Sequence, residues 1–324
     1  MVNIEGCKQG VYIYGTGKYG SICREYLKHV GLEIKGLIIS DDQQRHSEYI
    51  DGYKVFYLSE VVDLLAKGTI ILALSKNNCT LVKKTIGATS LLDACRLKEF
   101  SEEEYFEMYR TTHPVDASKI FKQSGPLDDS NGGARGTTIS RYYISKFLDY
   151  AYKKINAQEH MTTYEVGDLR YSEEYYPNAR HLLLDYTQKQ DLTKIETLPK
   201  SDVDVFICTQ VYNFLFDVPA AIEGSKYVLK EGGALLCTVV GNVSQVIRGD
   251  MDDYGDYWRF TYLGIRRLME QFFDNDKIEV ISYGNAMATT AYLQGLCVED
   301  LPDEKLLDEL DPDYALVIGI LARK

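Results

Sequence analysis

The first third of the chain alternates short apolar runs with segments whose apolar residues recur every three or four positions. The short runs are rich in β-branched and aromatic residues, which predicts buried strands. These strands are expected at 11–14, 34–40, 53–58 and 69–74. The intervening segments predict helices at 18–30, 59–66 and 77–87. Such an alternation is typical of a parallel β-α-β sheet with right-handed connections.

Residues 99–135 interrupt this alternation. They open with an acidic helical segment, 101–110, and end in 124–136, which is rich in glycine, serine, aspartate and proline. Such a composition is typical of a loop. We therefore predict a small Rossmann-like domain at 1–98, a linker and lid segment at 99–135, and a second domain at 136–324.

The strand and helix alternation restarts after the linker. Strands are predicted at 162–166, 180–186, 203–209, 234–240, 277–284 and 314–322. Helices are predicted at 138–155, 218–230, 262–272 and 286–296. The helix at 218–230 is expected to stop at Gly232-Gly233, since glycine commonly ends helices. The fold class predicted is α/β, with two consecutive Rossmann-like three-layer sandwiches.

Composition narrows the range of functions. The chain has 324 residues, 45% of them hydrophobic, and a formal net charge of −12. That charge argues against a nucleic-acid partner held by phosphate contacts and against docking on an anionic membrane. The seven cysteines form no CxxC pair and no zinc-type cluster with histidine, so no metal is expected. With no signal peptide or membrane-spanning run in the sequence, we expect reduced thiols and a cytoplasmic location.

The clearest motif is the glycine spacing Gly15-x-Gly17-x-x-Gly20 between the first strand and the first helix. In a dinucleotide-binding turn, such glycines allow the tight turn, the approach of a phosphate and close helix packing. Asp41, after the second strand, lies where a ribose hydroxyl would be bound. The same glycines would also serve packing alone, since the domain is about half of a full dinucleotide-binding fold.

This first region resembles the small N-terminal domain of bacterial acetyltransferases that act on nucleotide-sugars. The resemblance covers 13-IYGTGKYG-20, 36-GLIISDD-42 and 52-GYKVFYLSEV-61. It implies a domain that holds the nucleotide end of an acceptor and does not perform the chemistry.

A weaker turn follows the first strand of the second domain, where Glu165, Gly167 and Asp168 occur in 163-TYEVGDLRYSEEY-175. An acidic residue and a glycine at this point suit S-adenosylmethionine. The glycine lets the backbone approach the methionine part, and a carboxylate accepts hydrogen bonds from its ammonium group. The longer glycine run usual in such sites is missing.

The residues downstream of this turn strengthen the interpretation. Asp185 ends the next strand, 20 residues after Glu165, where a carboxylate can bind both ribose hydroxyls. Asp191 could face the adenine amino group, and Gln210 follows the next strand at the carboxyl edge where open α/β sheets bind ligands. Asp185 as a helix cap and Gln210 as an ordinary loop residue are the alternatives.

Residues from about 134 to 324 resemble bacterial class I S-adenosylmethionine-dependent methyltransferases found with glycosyltransferases in cell-surface polysaccharide biosynthesis. The resemblance runs through 136-GTTISRYYISKFL-148, 165-EVGDLRY-171, 208-CTQVYNFLFDVPAAI-222, 256-DYWRFT-261, 283-YGNAMATTAYLQGL-296 and 311-DPDYALVIGILARK-324. It implies a mostly parallel seven-stranded sheet, S-adenosylmethionine as cofactor, and methyl transfer to a hydroxyl of a sugar or related glycan precursor, free, phosphorylated or nucleotide-linked. The chain departs from the family between Asp185 and Asp191, where the segment is compressed.

Methyl transfer from a sulfonium needs an aligned acceptor and a group that takes the acceptor's proton. The segment 248–261 follows the predicted strand 234–240 at the ligand edge. Asp256 is its candidate base, and the other catalytic candidate is His113 in the linker. Candidate substrate contacts in the same segment are Arg248, Asp250, Tyr257, Trp258 and Arg259. Trp258 as a core anchor and Arg259 as an ion-pair partner are the alternatives.

The helix that precedes the first strand of the second domain is expected to form a lid over the cofactor. Tyr142 is its candidate cofactor contact, and Arg141 and Tyr143 are its candidate substrate contacts. Tyr142 and Lys146 also have the YxxxK spacing of a nicotinamide-dependent sugar oxidoreductase. That function, which would use the turn at Gly15–Gly20, and a non-catalytic scaffold are the two alternatives to methyl transfer. A homo-oligomer is compatible with all three.

Overall fold

The computed structural model describes residues 10–61, 68–87, 96–119, 122–155, 160–185, 189–199, 202–246 and 255–324. The chain forms two compact units. The first comprises Met1–Lys122 and Ala134–Gly136, and the second comprises Gln123–Gly133 and Thr137–Lys324.

The first unit is built on a six-stranded sheet of order β3-β4-β2-β1-β5-β6. Its strands are β1 Val11–Tyr14, β2 Ile34–Ile39, β3 Tyr49–Ile50, β4 Tyr53–Tyr57, β5 Thr69–Leu72 and β6 Arg96–Glu99. All neighbours are parallel except β3 and β4. The four predicted strands are confirmed, whereas β3 and β6 had no signal because they are short and partly exposed.

Helices cover this sheet: α1 Lys18–His29, α2 Leu58–Val61, α3 Lys76–Gly87 and α4 Glu102–Thr112. The acidic helix α4 begins at Ser101, whose side chain forms a capping box with Glu104. Tyr105 and Met108 of α4 are buried in the same apolar cluster as Ile22 of α1. Part of the segment predicted as a linker is therefore core structure of the first unit.

The second unit has a six-stranded sheet of order β11-β12-β10-β9-β7-β8. Its strands are β7 Thr162–Val166, β8 Arg180–Leu184, β9 Val203–Thr209, β10 Leu229–Val240, β11 Ile278–Tyr283 and β12 Val317–Arg323. Its helices are α5 Ile139–Lys154, α6 Arg170–Tyr175, α7 Val218–Val228, α8 Tyr262–Met269 and α9 Ala286–Leu293. Strand β12 is antiparallel to its neighbours β10 and β11, and the other neighbouring strands are parallel, so the sheet is mostly parallel.

Two expectations for this unit need correction. The seventh strand is not found among the described residues, where the chain between β8 and β9 contains only a short 3₁₀ turn, Ile195–Thr197. Gly232 and Gly233 do not end a helix, since α7 ends at Val228 and the glycines lie inside β10. They lie where the pairing of β10 with β9 shifts register, between Leu229 and Ala234.

The described residues contain no helix that is both long and apolar enough to cross a membrane. Five cysteines lie in this part of the chain, and all are buried free thiols. They are Cys23, Cys79, Cys208, Cys237 and Cys297.

Candidate functional site

The order of strands in the second sheet fixes where a ligand crevice forms. From β7 the chain moves to β8 on one side, and it then returns to β9 on the other side of β7. The connections at the carboxyl ends of β7 and β9 therefore leave in opposite directions. In open α/β sheets, ligands bind in the crevice at this switch point.

A cavity of about 810 Å³ lies at this crevice. It is lined by residues at the carboxyl ends of β7, β8 and β9 and by the chain that follows β9, among them Gly167, Asp185, Gln190, Gln210 and Phe216. Ligand sites in proteins typically have about 300–1,000 Å³, so the cavity has room for a cofactor-sized molecule.

Gly167, in the turn after β7, exposes its backbone to the cavity. Its φ is +87°, in the left-handed region that favours glycine, and a Cβ at this position would have no atom within 4 Å. Its N–H donates to the carbonyl of Leu184 at 3.3 Å. The turn is therefore tied to β8 while its outer side stays open to a ligand.

The two acids of this turn have different surroundings. Glu165 is buried, and its carboxylate accepts the backbone N–H groups of Tyr171 at 3.2 Å and Ser172 at 2.7 Å. Burial raises the pKa of Glu165, and these hydrogen bonds partly offset the rise. Glu165 thus anchors the start of α6. Asp168 is exposed and accepts the N–H of Arg170 at 3.0 Å. Neither lines the cavity.

The end of β8 supplies the polar side of the cavity. Asp185 lines it, and its N–H donates to the side-chain oxygen of Gln190 at 3.0 Å. Asp191 also lines it, but its carboxylate accepts from Thr193 and pairs with Lys194 at 2.8 Å. Burial alone would raise the pKa of Asp191, but the hydrogen bonds from Lys194 and Thr193 lower it below the ordinary value. Gln190 was not predicted from the sequence.

Gln210 has an unusual backbone at the end of β9. Its φ is +57°, which costs a non-glycine residue about 1–3 kcal/mol. The conformation is held by two bonds to β10: its N–H donates to the carbonyl of Thr238 at 2.8 Å, and its side-chain amide donates to the hydroxyl of Thr238 at 3.2 Å. Strained positions of this kind cluster at functional sites.

The outer wall of the cavity is aromatic. Phe216 is 72% exposed, Tyr257 is 51% exposed and Trp258 is 40% exposed. The ring of Phe216 lies 5.5 Å from that of Tyr257 and 6.0 Å from that of Trp258. The indole N–H of Trp258 donates to the carbonyl of Leu215 at 3.1 Å, which fixes the ring. We name Phe216, Tyr257 and Trp258 the aromatic shelf. Phe216 was not predicted, because a single aromatic residue in a loop carries no periodic signal.

Asp256 is buried and is held in an ion pair with the half-buried Arg259. Arg259 binds it with two nitrogens, at 2.6 and 2.7 Å, and Asn213 donates to it at 3.4 Å. The hydrogen bond to Asp256 raises the pKa of the Arg259 guanidinium. This geometry corresponds to the ion-pair alternative for Arg259. Arg248 and Asp250, the other charged candidates of this segment, lie outside the described residues.

The candidate site residues on α5 make their contacts with other residues of the second unit. Tyr142 donates to Asp308 at 2.9 Å, and Lys146 pairs with the same carboxylate oxygen at 2.9 Å. Tyr143 is buried and donates to the carbonyl of Leu307. Arg141 is exposed in the first turn of the helix. None of these residues lines the cavity, and the YxxxK pair is engaged by Asp308.

His113 belongs to the first unit, where it ends α4. Its ring stacks on Tyr109 with 4.1 Å between centroids. Its Nδ1 lies 2.9 Å from the hydroxyl of Thr112, and its Nε2 lies 3.6 Å from Glu25.

The turn at Gly15–Gly20 in the first unit is tightly packed at two of its three glycines. Gly15 has φ +113°, and a Cβ there would lie 2.5 Å from the carbonyl of Ala73. A Cβ on Gly20 would lie 2.1 Å from the carbonyl of Gly15. Gly17, in contrast, would meet nothing within 4 Å. Asp41 accepts hydrogen bonds from the backbone N–H and the hydroxyl of Ser59 in α2.

No protein-family model matches the chain, and no curated protein matches its sequence. Among solved structures, it is similar to an S-adenosylmethionine-dependent methyltransferase of Mesorhizobium loti, with 14% identity, TM-score 0.37, and coverage of 55% of this chain and 100% of that one. A methyltransferase of Archaeoglobus fulgidus gives 10% identity, TM-score 0.36, and coverage of 57% and 94%. Phosphoethanolamine N-methyltransferase 2 of Haemonchus contortus, solved with S-adenosyl-L-methionine, gives 12% identity, TM-score 0.36, and coverage of 97% and 94%.

Proposed function

We propose that the protein is an S-adenosylmethionine-dependent methyltransferase whose cofactor binds in the cavity at the carboxyl ends of β7, β8 and β9. The observation that carries this proposal is the open backbone at Gly167 in the wall of an approximately 810 Å³ cavity, at the switch point of a mostly parallel sheet. The polar groups that a nucleoside needs lie at the adjacent strand ends.

The lining fits the chemistry of S-adenosylmethionine. Asp185, at the end of β8, would accept the ribose hydroxyls, and Gly167 would let the methionine part approach the backbone. The aspartates of the lining suit a positively charged sulfonium. When bound, S-adenosylmethionine supplies an electrophilic methyl group. The residues of this chain would hold the acceptor oxygen in line with the methyl carbon and the sulfur, and would exclude water from the site.

The acceptor in this proposal is a hydroxyl of a sugar or of a sugar-linked precursor of a surface polysaccharide. The support is the resemblance described from the sequence, together with the aromatic shelf, since aromatic rings offer apolar faces to a sugar. Within the second unit, Asp256 is the candidate for taking the acceptor proton. For Asp256, that role requires release from Arg259, because a carboxylate paired with a guanidinium is a weak base.

The test is a thermal unfolding experiment with S-adenosylmethionine. Binding to the native state alone stabilises it by about 2.7 kcal/mol when the ligand is at 100 times its dissociation constant, so Tm is expected to rise. Asp185→Ala is expected to abolish the rise, because it removes the proposed ribose contact. A screen of sugars and nucleotide-sugars by mass spectrometry, for the gain of one methyl group, would then identify the acceptor.

Two results would contradict the proposal. One is the absence of any rise in Tm for the wild-type protein at millimolar S-adenosylmethionine. The other is an undiminished rise in Asp185→Ala, which would place the cofactor elsewhere. Asp191→Ala is the matched control, since the carboxylate of Asp191 is bound by Thr193 and Lys194, and its loss should reduce the rise far less.

A further inference from the structure

The charged side chains that line the described part of the cavity are all acidic. Three aspartates line its described part, and no lysine or arginine does; the aspartates are Asp185, Asp191 and Asp217. Lys194 offsets the charge of Asp191. Asp217 accepts the N–H of Ala220 at 3.0 Å and keeps its carboxylate at the start of α7. A cleft lined by one sign of charge attracts ligands of the opposite sign and repels ligands of the same sign.

Asp217 directly follows Phe216 of the aromatic shelf in the chain. Phe216 and Tyr257 line the cavity, and Trp258 packs against Phe216. A carboxylate can only accept hydrogen bonds, and a sugar hydroxyl or ammonium can donate them. An aromatic face also attracts a nearby ammonium group. A carboxylate next to exposed rings therefore suits a polyhydroxylated or amino-bearing ring, and it disfavours a phosphate.

We propose that the part of the acceptor that enters this cavity is an uncharged or amino-bearing sugar ring lying against the aromatic shelf, and that a phosphate or carboxylate on that ring weakens its binding. This inference rests on the proposed function and narrows its acceptor class. It separates free and amino sugars from the phosphorylated precursors that the sequence leaves open.

Binding at the aromatic shelf can be followed by the fluorescence of Trp258. Trp258 is the single tryptophan of the 324 residues, so intrinsic tryptophan fluorescence reports on the shelf alone. The full-length protein, loaded with S-adenosylhomocysteine, is titrated with glucose, glucosamine and glucose 6-phosphate. We expect saturable changes in emission with glucose and glucosamine, and binding of glucose 6-phosphate at least about tenfold weaker, because like charges in a binding site repel.

Matched variants assign the response to the named residues. Phe216→Ala should weaken the binding of glucose by about tenfold or more, as expected for a ring at the centre of a contact. Tyr49→Ala removes a ring that is 56% exposed in the first unit and should change nothing. Asp217→Asn keeps the cap of α7, since asparagine is also a good N-cap, and should reduce the preference for glucose over its phosphate.

Three outcomes would overturn the inference: glucose 6-phosphate binding as tightly as glucose, no response to any of the three sugars, or a response unaffected by Phe216→Ala. Calorimetry of S-adenosylhomocysteine on the same sample separates this failure from that of the proposed function. If S-adenosylhomocysteine binds while the sugars fail, only the acceptor class is wrong. If S-adenosylhomocysteine does not bind, the proposed function fails whatever the sugars do.

Discussion

The two β-α turns of this protein have the same position in their sheets and different surroundings. Each follows the strand at which the strand order of its sheet reverses. This strand is β1 in the first unit and β7 in the second. In the first turn, Gly15 and Gly20 lie against backbone atoms, and a Cβ on either would approach a carbonyl oxygen to 2.5 or 2.1 Å. In the second turn, Gly167 faces open space beside a large cavity.

A glycine motif therefore indicates how closely two parts of the backbone approach each other. At Gly15 and Gly20 the close neighbours are the protein itself, so packing alone accounts for these glycines. Only Gly17 of the first turn is open in the way that Gly167 is. Ligand binding is better indicated by an open glycine that coincides with a cavity and with polar side chains at adjacent strand ends.

The largest effect is expected from Gly20→Ala. The added Cβ would meet the Gly15 carbonyl, which belongs to the backbone and cannot rotate away, so we expect a loss of about 3 kcal/mol in the free energy of unfolding. Denaturant unfolding measures the change. Gly17→Ala is the control and should cost about 1 kcal/mol or less, since its Cβ meets nothing. Equal losses in the two variants would show that packing does not explain Gly20.

A smaller effect on stability, but a clear one on binding, is expected from Gly167→Ala. The positive φ costs about 1 kcal/mol, and the methyl group would project toward the proposed ligand. We expect the affinity for S-adenosylmethionine to fall by about tenfold, which corresponds to about 1.4 kcal/mol. Gly232→Ala has a similar φ of +78° and also meets open space, so it controls for the backbone cost. An unchanged affinity in Gly167→Ala would remove this turn from the site.

A nucleotide probe tests whether the first turn binds anything. If the turn holds the nucleotide end of an acceptor, uridine diphosphate should bind the wild-type protein, and Gly17→Val should weaken that binding severalfold because its side chain fills the phosphate position. Binding of S-adenosylmethionine should be unaffected by this change. Equilibrium dialysis with both ligands measures the two effects. Uridine diphosphate binding that survives Gly17→Val would assign the first turn to packing alone.

The smallest effect concerns pH and the anchor of α6. Burial raises the pKa of Glu165 above its ordinary value of 4.5, so the native state holds this proton more tightly than the unfolded state. The stability of the wild type relative to Glu165→Gln should therefore fall as pH rises from the ordinary value through the raised one. Unfolding of both proteins across this range measures the difference. A relative stability that increases with pH would mean that the hydrogen bonds outweigh burial.

Much of the fold follows from the periodic pattern of the sequence, because buried parallel strands need short apolar runs. The pattern does not predict the short strands β3 and β6 or the register shift at Gly232-Gly233, since pairing with a neighbouring strand determines them. At the site, Asp185, Asp191 and Gln210 were predicted from their spacing, and all three line the cavity, while their binding roles stay predictions. Gln190, Asp217 and Phe216 were missed, because single loop residues reach a site only through the tertiary path of the chain.

The most direct test of the assignment of the cofactor to the second turn is calorimetric titration of S-adenosylmethionine into three proteins: the wild type, Gly17→Val and Asp185→Ala. We predict the same affinity for the wild type and Gly17→Val, and no detectable binding to Asp185→Ala. Binding that is lost in Gly17→Val and kept in Asp185→Ala would place the cofactor at the first turn and contradict this account.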